Sequence, residues 1–523
     1  MNVEIKDSRT EIESGRNPFP ARVGCVEIGT NAIRFIAASL SRPGTFEALE
    51  TQRAPVRLGH SVFLTGRLTD QAQGQALQAL GDFKERSHFH GLTRLRIVAT
   101  SALRESTNGA EFCERVHEEL GWSIDIISGS EEARLAHLAI ASVISLGQAR
   151  WFHADLGGGS VEVSVMDGTG IHWSESHTMG SVRLLEVLAD PNDDARSFSR
   201  LLAEYVSTLN IPEIVRNQEL AGFIATGGNI ETVARMVNPS TSKEGLLTVS
   251  VDDLRSLIEK LSRLSYRERV DQLGLREDRA DVILPAALVY EKLAALVGAS
   301  TIIVPFVGVR EGVILDIGDE LAGRGGFEQR IESPILMAAR NLGRKYLYDE
   351  AHAEQVMTLA LSLFDQMQET HGLGSKDRLF LEAAALLHDI GQFISFKRHH
   401  KHSYYLIANS ELPGLTSEDM VLIATISRYH RKSEPSQGHE PFASLPRADR
   451  DRVMKLTAIL RVADALDREH KRAVRSIFLK ETHGEIRLQL HGDGDLLLEQ
   501  WGLKQKSQLF KKVFSKTITI ERL

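Results

Sequence analysis

Cysteine is nearly absent from the sequence. Only Cys25 and Cys113 occur among 523 residues. Two thiols cannot build a disulfide framework, and by themselves they cannot complete a zinc site. We therefore expect no thiol chemistry and a reducing compartment.

Long apolar runs are absent too. The first twenty residues are polar and lack the apolar core of a signal peptide. The longest aliphatic stretches, such as residues 301–304, are far shorter than a membrane span. We therefore expect a cytoplasmic protein with no membrane partner.

A surplus of positive charge is also missing. Lys and Arg number 62 against 70 Asp and Glu, which gives a net charge of −8. Such a chain does not attract polyanions through its average field, so we expect no DNA binding, and any polyanion site must be locally basic. Residues 397–402 and 428–432 are locally basic, although each segment alone is typical of a solvated surface.

The composition that remains is that of a large soluble globular protein. Hydrophobic residues make up 42% and charged residues 25% of the chain, and its mass is 58.0 kDa. A chain of this size exceeds one hydrophobic core, so we expect about two to four domains.

A strand–turn–strand pattern occurs twice. The first copy has strands at residues 23–27 and 33–40, and the second has strands at residues 151–156 and 161–166. In each copy a carboxylate, Glu27 or Asp155, precedes the first glycine of the turn by two residues. Helices alternate with strands between the copies, so the repeat predicts a duplicated α/β fold.

The second half of the chain has a different pattern. From about residue 323 the periodicity is helical without intervening strands, and the last fifty or so residues return to strand-like alternation. We leave open whether residues 305–322 return to the first domain. The expected segments are a flexible lead-in at 1–20, α/β domains at 21–128 and 129–304, a helical domain at 323–472 and a small α+β appendage at 473–523.

The glycine-rich turns are candidate phosphate sites, because backbone N–H groups without a Cβ beside them can surround an anion. A neighbouring carboxylate could hold Mg²⁺ against the phosphates, and Asp155 and Glu162 are the best candidates. A plain glycine-rich hairpin remains the alternative. The candidate phosphate-binding residues are Gly29, Thr30, Asn31, Gly157, Gly158, Gly159, Ser160, Gly227 and Gly228.

Two further side chains suit phosphoanhydride hydrolysis. Glu132 lies in the first turn of a predicted helix and could deprotonate water, although an acid at this position also complements the helix dipole. Arg104 follows a predicted strand and could pair with a phosphate, although an ordinary surface arginine would give the same sequence pattern.

Seven ordered motifs resemble the exopolyphosphatase and guanosine pentaphosphate phosphohydrolase family. The motifs are VEIGTN at 26–31, VATSALR at 98–104, ISGSEEARL at 127–135, DLGGGS at 155–160, MGSVRL at 179–184, ATGG at 225–228 and VREG at 309–312. Seven motifs in the right order are far more specific than any one of them.

The resemblance implies two actin-like (ribonuclease H-like) domains with a cleft that removes terminal phosphates with the help of Mg²⁺ or Mn²⁺. It assigns Glu132 as the base for water, Arg104 as a phosphate contact, and Asp155 and Glu162 as metal-associated acids; Glu27 stands where the family usually has Asp. It also implies a homodimer. The extra methylene of Glu27 could displace a cation, Ala32 replaces the usual Ser, and residues 304–308 lack the family's usual Ser and Asp.

The second half resembles the HD phosphohydrolase superfamily and family members with a C-terminal HD-like domain. His352, His388, Asp389 and Asp464 follow the order His, His-Asp, Asp. This set implies a Mn²⁺, Fe²⁺ or Zn²⁺ site, with His402 and His430 as ligands of a second ion. A helical domain that guides polyphosphate or forms a dimer interface is the alternative.

The leading hypothesis is an α/β plus all-α exopolyphosphatase that releases orthophosphate from the end of polyphosphate. Guanosine pentaphosphate hydrolysis in the same cleft is the first alternative. The others are an HD-type metallophosphohydrolase with a regulatory first half, and an alarmone or polyphosphate sensor without turnover.

Overall fold

The structure is a computed structural model that divides into two compact units, Met1–Gly326 and Phe327–Leu523. It describes residues 18–60, 62–188, 195–238, 245–322, 327–412, 414–431, 433–482, 484–492 and 495–522. The predicted lead-in at 1–20 therefore lies almost wholly outside the described residues, and so does the predicted boundary at residue 323.

The first unit begins with a five-stranded sheet. Its strands are β1 Ala21–Ile28, β2 Ile33–Arg42, β3 Thr45–Ala54, β4 Arg94–Ala99 and β5 Asp125–Ile126, in the order β3-β2-β1-β4-β5. β1 pairs antiparallel with β2 and parallel with β4. β1 is apolar almost throughout because helices cover both faces of the sheet.

A second sheet repeats this arrangement. Its strands are β6 Trp151–Leu156, β7 Val161–Asp167, β8 Gly170–His177, β9 Gly222–Thr226, β10 Leu247–Ser250 and β11 Thr301–Val304, in the order β10-β11-β9-β6-β7-β8. Without β10, the order β8-β7-β6-β9-β11 matches that of the first sheet. The predicted duplication is confirmed, and the unit contains two actin-like domains.

The helices of the first unit lie between and after these strands. They are Val62–Thr65, Asp70–Phe89, Ser101–Glu105, Gly109–Leu120, Gly129–Val143, Ser181–Leu188, Ala195–Ser207, Glu213–Arg216, Gly228–Val237, Val251–Arg263, Tyr266–Leu273, Glu277–Ala280, Ile283–Val297 and Val309–Leu321. Glu277–Ala280 and Ile283–Val297 are separate helices, and Pro285 at the start of the second has no N–H with which to continue the bonding through the break.

The helix Val309–Leu321 packs on the first sheet. Val309, Val313 and Ile317 share a hydrophobic core with Val23 and Ile36 of β1 and β2. The same helix lies against Gly129–Val143, where a Cβ on Gly312 would collide with the Leu135 carbonyl. This close approach holds the helix that carries Glu132 against the first sheet.

The second unit is helical up to residue 465 and then strand-rich. Its helices are Phe327–Lys345, Glu350–Gln366, Gln368–His371, Ser375–Leu387, the 3₁₀ helix Ile390–Phe393, His399–Ala408, Ser417–Arg428, Glu440–Ala443 and Arg447–Ala465, followed by β12 Val474–Thr482, β13 Glu485–Gly492, Leu497–Lys506, Gln508–Phe514 and β14 Thr517–Arg522. One hydrophobic core joins the two parts, with Leu363 and Ile459 from the helices and Leu488 and Phe510 from the appendage. Among the described residues, no helix has both the length and the apolar character that a bilayer crossing requires.

Candidate active site

A cleft in the first unit brings the two glycine turns together. It encloses about 820 Å³ including its open mouth and is lined by Gly29, Thr30 and Asn31 from the β1–β2 turn and by Gly157 and Gly158 from the β6–β7 turn. The turns touch, because a Cβ on Gly158 would lie 2.7 Å from the Thr30 side chain. The structure therefore brings the two predicted phosphate turns to one cleft.

Two predicted phosphate residues do not line this cleft. Gly159 packs against Ser101 and Phe63, and the Ser160 hydroxyl donates to Glu162 Oε1 at 2.6 Å. The first-turn N–H groups of the helix Ser181–Leu188 donate to the carbonyls of Gly157 and Gly158, which sets the direction of the turn. Spacing alone could not reveal this packing.

Gly227 and Gly228 lie on the opposite wall at the end of β9. Gly227 has a φ of 103°, a conformation that L side chains rarely adopt, and a Cβ there would lie 3.1 Å from Asp155 Oδ1. A Cβ on Gly228 would lie 2.7 Å from the Arg34 guanidinium and 2.8 Å from that of Arg279. This wall is therefore open to a ligand between a carboxylate and two guanidinium groups.

Six carboxylates line the cleft, and four of them are the predicted site residues Glu27, Glu132, Asp155 and Glu162; the other two are Glu231 and Glu311. Asp155 on β6 is directly opposite Glu162 on β7, so both reach the cleft, a facing that counting along the sequence could not decide. Glu132 and Glu162 are buried, and Glu27 and Asp155 are partly buried.

Neighbouring carboxylates raise the pKa of two members of this group. Burial, and then the charges of Glu162 and Glu27, raise the pKa of Asp155 to about 7. Burial and the charge of Glu162 also raise the pKa of Glu132 well above its ordinary value, against the opposing effect of Arg104. The raised pKa makes Glu132 a stronger base than an ordinary glutamate.

Arg104 holds Glu132 in place. Its Nη1 donates to Glu132 Oε1 at 2.7 Å and to the Ile127 carbonyl at 2.5 Å, and the side chain does not line the cleft. The predicted phosphate contact of Arg104 stays a prediction, and the contact that the structure gives is to Glu132.

The donor set fits a hard divalent cation. Carboxylate oxygens are the ligands that Mg²⁺ prefers, and several of them close together in partial burial repel one another without a counter-charge. Ser160 and Ser176 donate to Glu162 Oε1 at 2.6 and 3.0 Å and so orient this carboxylate. Asp155, Glu162 and Glu27 are the residues that could hold the ion.

Three arginines that the motifs did not single out also line the cleft: Arg34, Arg53 and Arg279. Arg34 on β2 lies opposite Glu27 on one side and opposite Arg53 of β3 on the other. Like charges directly opposite each other destabilise a sheet, and here each arginine has a carboxylate partner, Glu27 for Arg34 and Asp278 for Arg53. A charged residue on an inward position of β2 was the available sequence signal.

Arg279 is the most buried of the three. It is 5% exposed, its Nη1 donates to Asn229 Oδ1, and its Nε has no hydrogen-bond partner. Burial, and then the charges of Arg34 and Arg53, lower its pKa to about 10. An unpartnered, buried guanidinium N–H among other guanidinium groups is suited to a phosphate oxygen.

Two segments of the chain match models of known protein families. Residues 37–321 match the model of the Ppx/GppA phosphatase family, and residues 336–507 match the model of Ppx/GppA phosphatase domain III. The chain belongs to the Ppx/GppA phosphatase family. It is a hydrolase that acts on phosphoanhydride bonds, and membership indicates dependence on a divalent metal ion.

Solved structures of similar proteins cover somewhat more than half of this chain. An exopolyphosphatase from Cytophaga hutchinsonii is 24% identical, with 57% of this chain and 98% of that chain covered and a TM-score of 0.53. An exopolyphosphatase-like protein is 26% identical over 58% of this chain and 100% of that chain, with a TM-score of 0.52. A Ppx/GppA family member from Aquifex aeolicus is 24% identical over 57% and 97%, with a TM-score of 0.48.

The second predicted site of this phosphatase lies in the other unit. His352, His388, Asp389 and His430 belong to two overlapping groups of possible metal ligands, and Asp464 Oδ1 lies 3.8 Å from His352 Nε2. Among the described residues, the predicted ligand His402 belongs to neither group, whereas His399, one helical turn earlier, belongs to the second. The helix begins at His399, so that residue, and not His402, is next to Asp389.

The repulsion within the carboxylate cluster gives a stability test. The pKa of Asp155 is raised from 3.8 to about 7, so the folded state binds its proton more tightly and stability falls as the pH rises from about 4 to 7. Without divalent cations, Asp155→Asn should stabilise the phosphatase at pH 8 by on the order of 2 kcal/mol and by less at pH 5. Thermal unfolding at both pH values measures this difference.

The matched control is Asp82→Asn, on the exposed face of the helix Asp70–Phe89. It should leave the thermal midpoint unchanged at both pH values. Equal destabilisation by Asp155→Asn at pH 5 and pH 8 would contradict the account of the cluster.

Proposed function

We propose that this phosphatase is an exopolyphosphatase, which releases orthophosphate from the end of a polyphosphate chain. The observation that carries the proposal is the charge pattern of the cleft: Asp155, which interacts with Glu132 and Glu162, lies beside Gly227, and Arg34 and Arg279 lie beside Gly228. A terminal phosphate needs the acidic side for water activation and metal binding, and the phosphates behind it need the basic side.

The lining of the cleft favours polyphosphate over guanosine pentaphosphate. Among the described residues that line it, none is aromatic. A guanine base is usually held by stacking or by a shaped apolar pocket, whereas a chain of phosphates needs only repeated cationic contacts. The similar proteins from Cytophaga hutchinsonii and the exopolyphosphatase-like structure support the same choice.

In the proposed reaction, Glu132 removes a proton from the attacking water as the water oxygen bonds to the terminal phosphorus. The bond from that phosphorus to the bridging oxygen breaks, and the shortened chain leaves as the anion. Arg104 positions Glu132, and its charge opposes the effect of burial on the pKa of Glu132.

Asp155, Glu162 and Glu27 would hold the divalent ion. When bound, Mg²⁺ would offset the negative charge of the phosphate oxygens and bring them close to the carboxylates. Glu27 Oε2 lies 3.5 Å from Arg34 and 3.6 Å from Arg310, so the longer side chain at this position also contacts the basic side of the cleft.

Substitution of Glu132 tests the proposed base. Glu132→Gln keeps the size and the hydrogen-bond acceptor for Arg104 but cannot take the proton, so orthophosphate release should fall at least about 100-fold. The assay compares long-chain polyphosphate with guanosine pentaphosphate, each with Mg²⁺ or Mn²⁺. Polyphosphate should be the better substrate.

The control is Glu118→Gln, an exposed carboxylate of the helix Gly109–Leu120, which should retain full activity. A contradicting result is orthophosphate release that persists in Glu132→Gln but disappears when His388 and Asp389 are both changed to Ala. This result would show that the second unit carries out the catalysis. No turnover of either substrate by the native protein would favour a sensor.

Substitution of Arg279 tests the chain-binding side. Arg279→Gln removes a buried charge that would bond to phosphate, a contact worth about 1.5–3 kcal/mol, so kcat/KM for long polyphosphate should fall about 10- to 100-fold. The decrease of kcat/KM with rising salt concentration should also become weaker, because the variant has one charged contact fewer with the phosphates.

Arg276→Gln is the matched control because this side chain is 60% exposed and does not line the cleft. Equal losses in the two variants would show that Arg279 acts through general charge and not through a contact in the cleft.

A further inference from the structure

The second unit contains a cluster of buried histidines around Asp389 that the cleft chemistry does not use. His388 is 0%, His399 3% and His430 2% exposed. The Asp389 side chain, which is 15% exposed, forms part of both groups of possible ligands, one with His352 and His388 and the other with His399 and His430.

Backbone contacts fix the orientation of these imidazoles. His388 Nδ1 donates to the Ala385 carbonyl and His430 Nδ1 to the Ser427 carbonyl, both at 2.7 Å. A carbonyl can only accept, so each Nδ1 carries the proton and each neutral ring directs an Nε2 lone pair away from it. Metal-binding histidines are commonly fixed in this way by their second nitrogen.

His399 has the same arrangement. Its Nδ1 lies 3.1 Å from the Phe396 carbonyl, closer than the 3.4 Å to the Arg431 guanidinium. Its Nε2 faces the Nε2 of His430 at 3.3 Å. Where Nδ1 is the donor in each ring, the two facing Nε2 atoms are both acceptors and share no proton across this distance.

Asp389 adds a third acceptor to the same point. Its Oδ1 lies 3.1 Å from His399 Nε2 and 3.3 Å from His430 Nε2, and it is buried without a hydrogen-bond partner. Three lone-pair acceptors that converge in a buried place require a positive charge between them. Imidazole and carboxylate together suit Zn²⁺, Mn²⁺, Fe²⁺ or Co²⁺.

The other half of the cluster already has a cation. The Lys506 ammonium, at the end of the helix Leu497–Lys506, forms a buried ion pair with Asp464 Oδ2. Asp464 Oδ1 is 3.8 Å from His352 Nε2, so Lys506 binds the carboxylate that would complete a site with His352 and His388. His352 Nδ1 is held in turn by Asp467 Oδ2 at 2.8 Å.

We propose that the second unit binds one transition-metal ion through Asp389, His399 and His430, and that Lys506 prevents a second ion from binding beside His352 and Asp464. The ion supplies the positive charge that the acceptors of Asp389, His399 and His430 lack. Beside Asp464, the Lys506 ammonium already supplies the positive charge that a second ion would bring. Neither statement depends on the substrate of the cleft.

Metal content of the full-length protein tests the proposal. Protein stripped with a chelator is loaded with Co²⁺ or Zn²⁺ in excess Mg²⁺, which occupies the cleft carboxylates, and is then desalted. The native protein should retain one ion per chain, with the visible absorption of Co²⁺ bound to nitrogen, and Zn²⁺ should raise its thermal midpoint.

The variants separate the two groups of ligands. His399→Ala and His430→Gln should weaken the affinity for Co²⁺ at least tenfold, whereas His402→Ala, on the same helix as His399 but outside the cluster, should keep it. Lys506→Met should raise the content from one ion to two.

Each result supports or overturns the proposal. No retained ion in the native protein, or equal losses in His399→Ala and His402→Ala, overturns the site. Two ions in the native protein, or one in Lys506→Met, overturns the role of Lys506. The spectrum and the thermal shift of the native protein decide the first point even if a histidine variant fails to fold.

Discussion

The balance of charge inside the cleft is the constraint on which the rest of the account depends. Six carboxylates and four arginines line this space, in a chain whose net charge is −8. Burial and neighbouring carboxylates raise the pKa of Asp155, and burial, followed by the charges of Arg34 and Arg53, lowers that of Arg279. Under the proposed function, a divalent cation beside the carboxylates and phosphates beside the arginines would relieve both imbalances.

The duplicated fold brings these charges together. Each domain ends a buried strand, β1 or β6, with a carboxylate and then a glycine turn, and Thr30 of one turn contacts Gly158 of the other. Glu132 belongs to neither turn, and it reaches the cleft because Gly312 allows the helices Gly129–Val143 and Val309–Leu321 to pack closely. Side chains that are distant in the sequence therefore converge through backbone contacts at glycine.

Local features of the site could be predicted from the sequence. The hairpins, the positions of Asp155 and Glu162, and the first-turn position of Glu132 depend on contacts within a few residues. The arginines required the register of three strands, since Arg34 meets Arg53 only across the β2–β3 pair. The clustering of His399 instead of the expected His402 depends on where one short helix begins. The Lys506–Asp464 ion pair joins residues 42 positions apart in the sequence. These last features arise from tertiary packing, which no periodicity encodes.

The most direct test of the central claim is the number of protons released when Mg²⁺ binds near pH 7. Calorimetric titration in buffers with different ionisation enthalpies gives this number. Because the pKa of Asp155 is about 7, a substantial fraction of one proton should leave on binding, and the affinity should fall by up to about tenfold per pH unit below 7. Binding without proton release, or with an affinity that does not change between pH 6 and pH 8, would contradict a metal site built on these carboxylates.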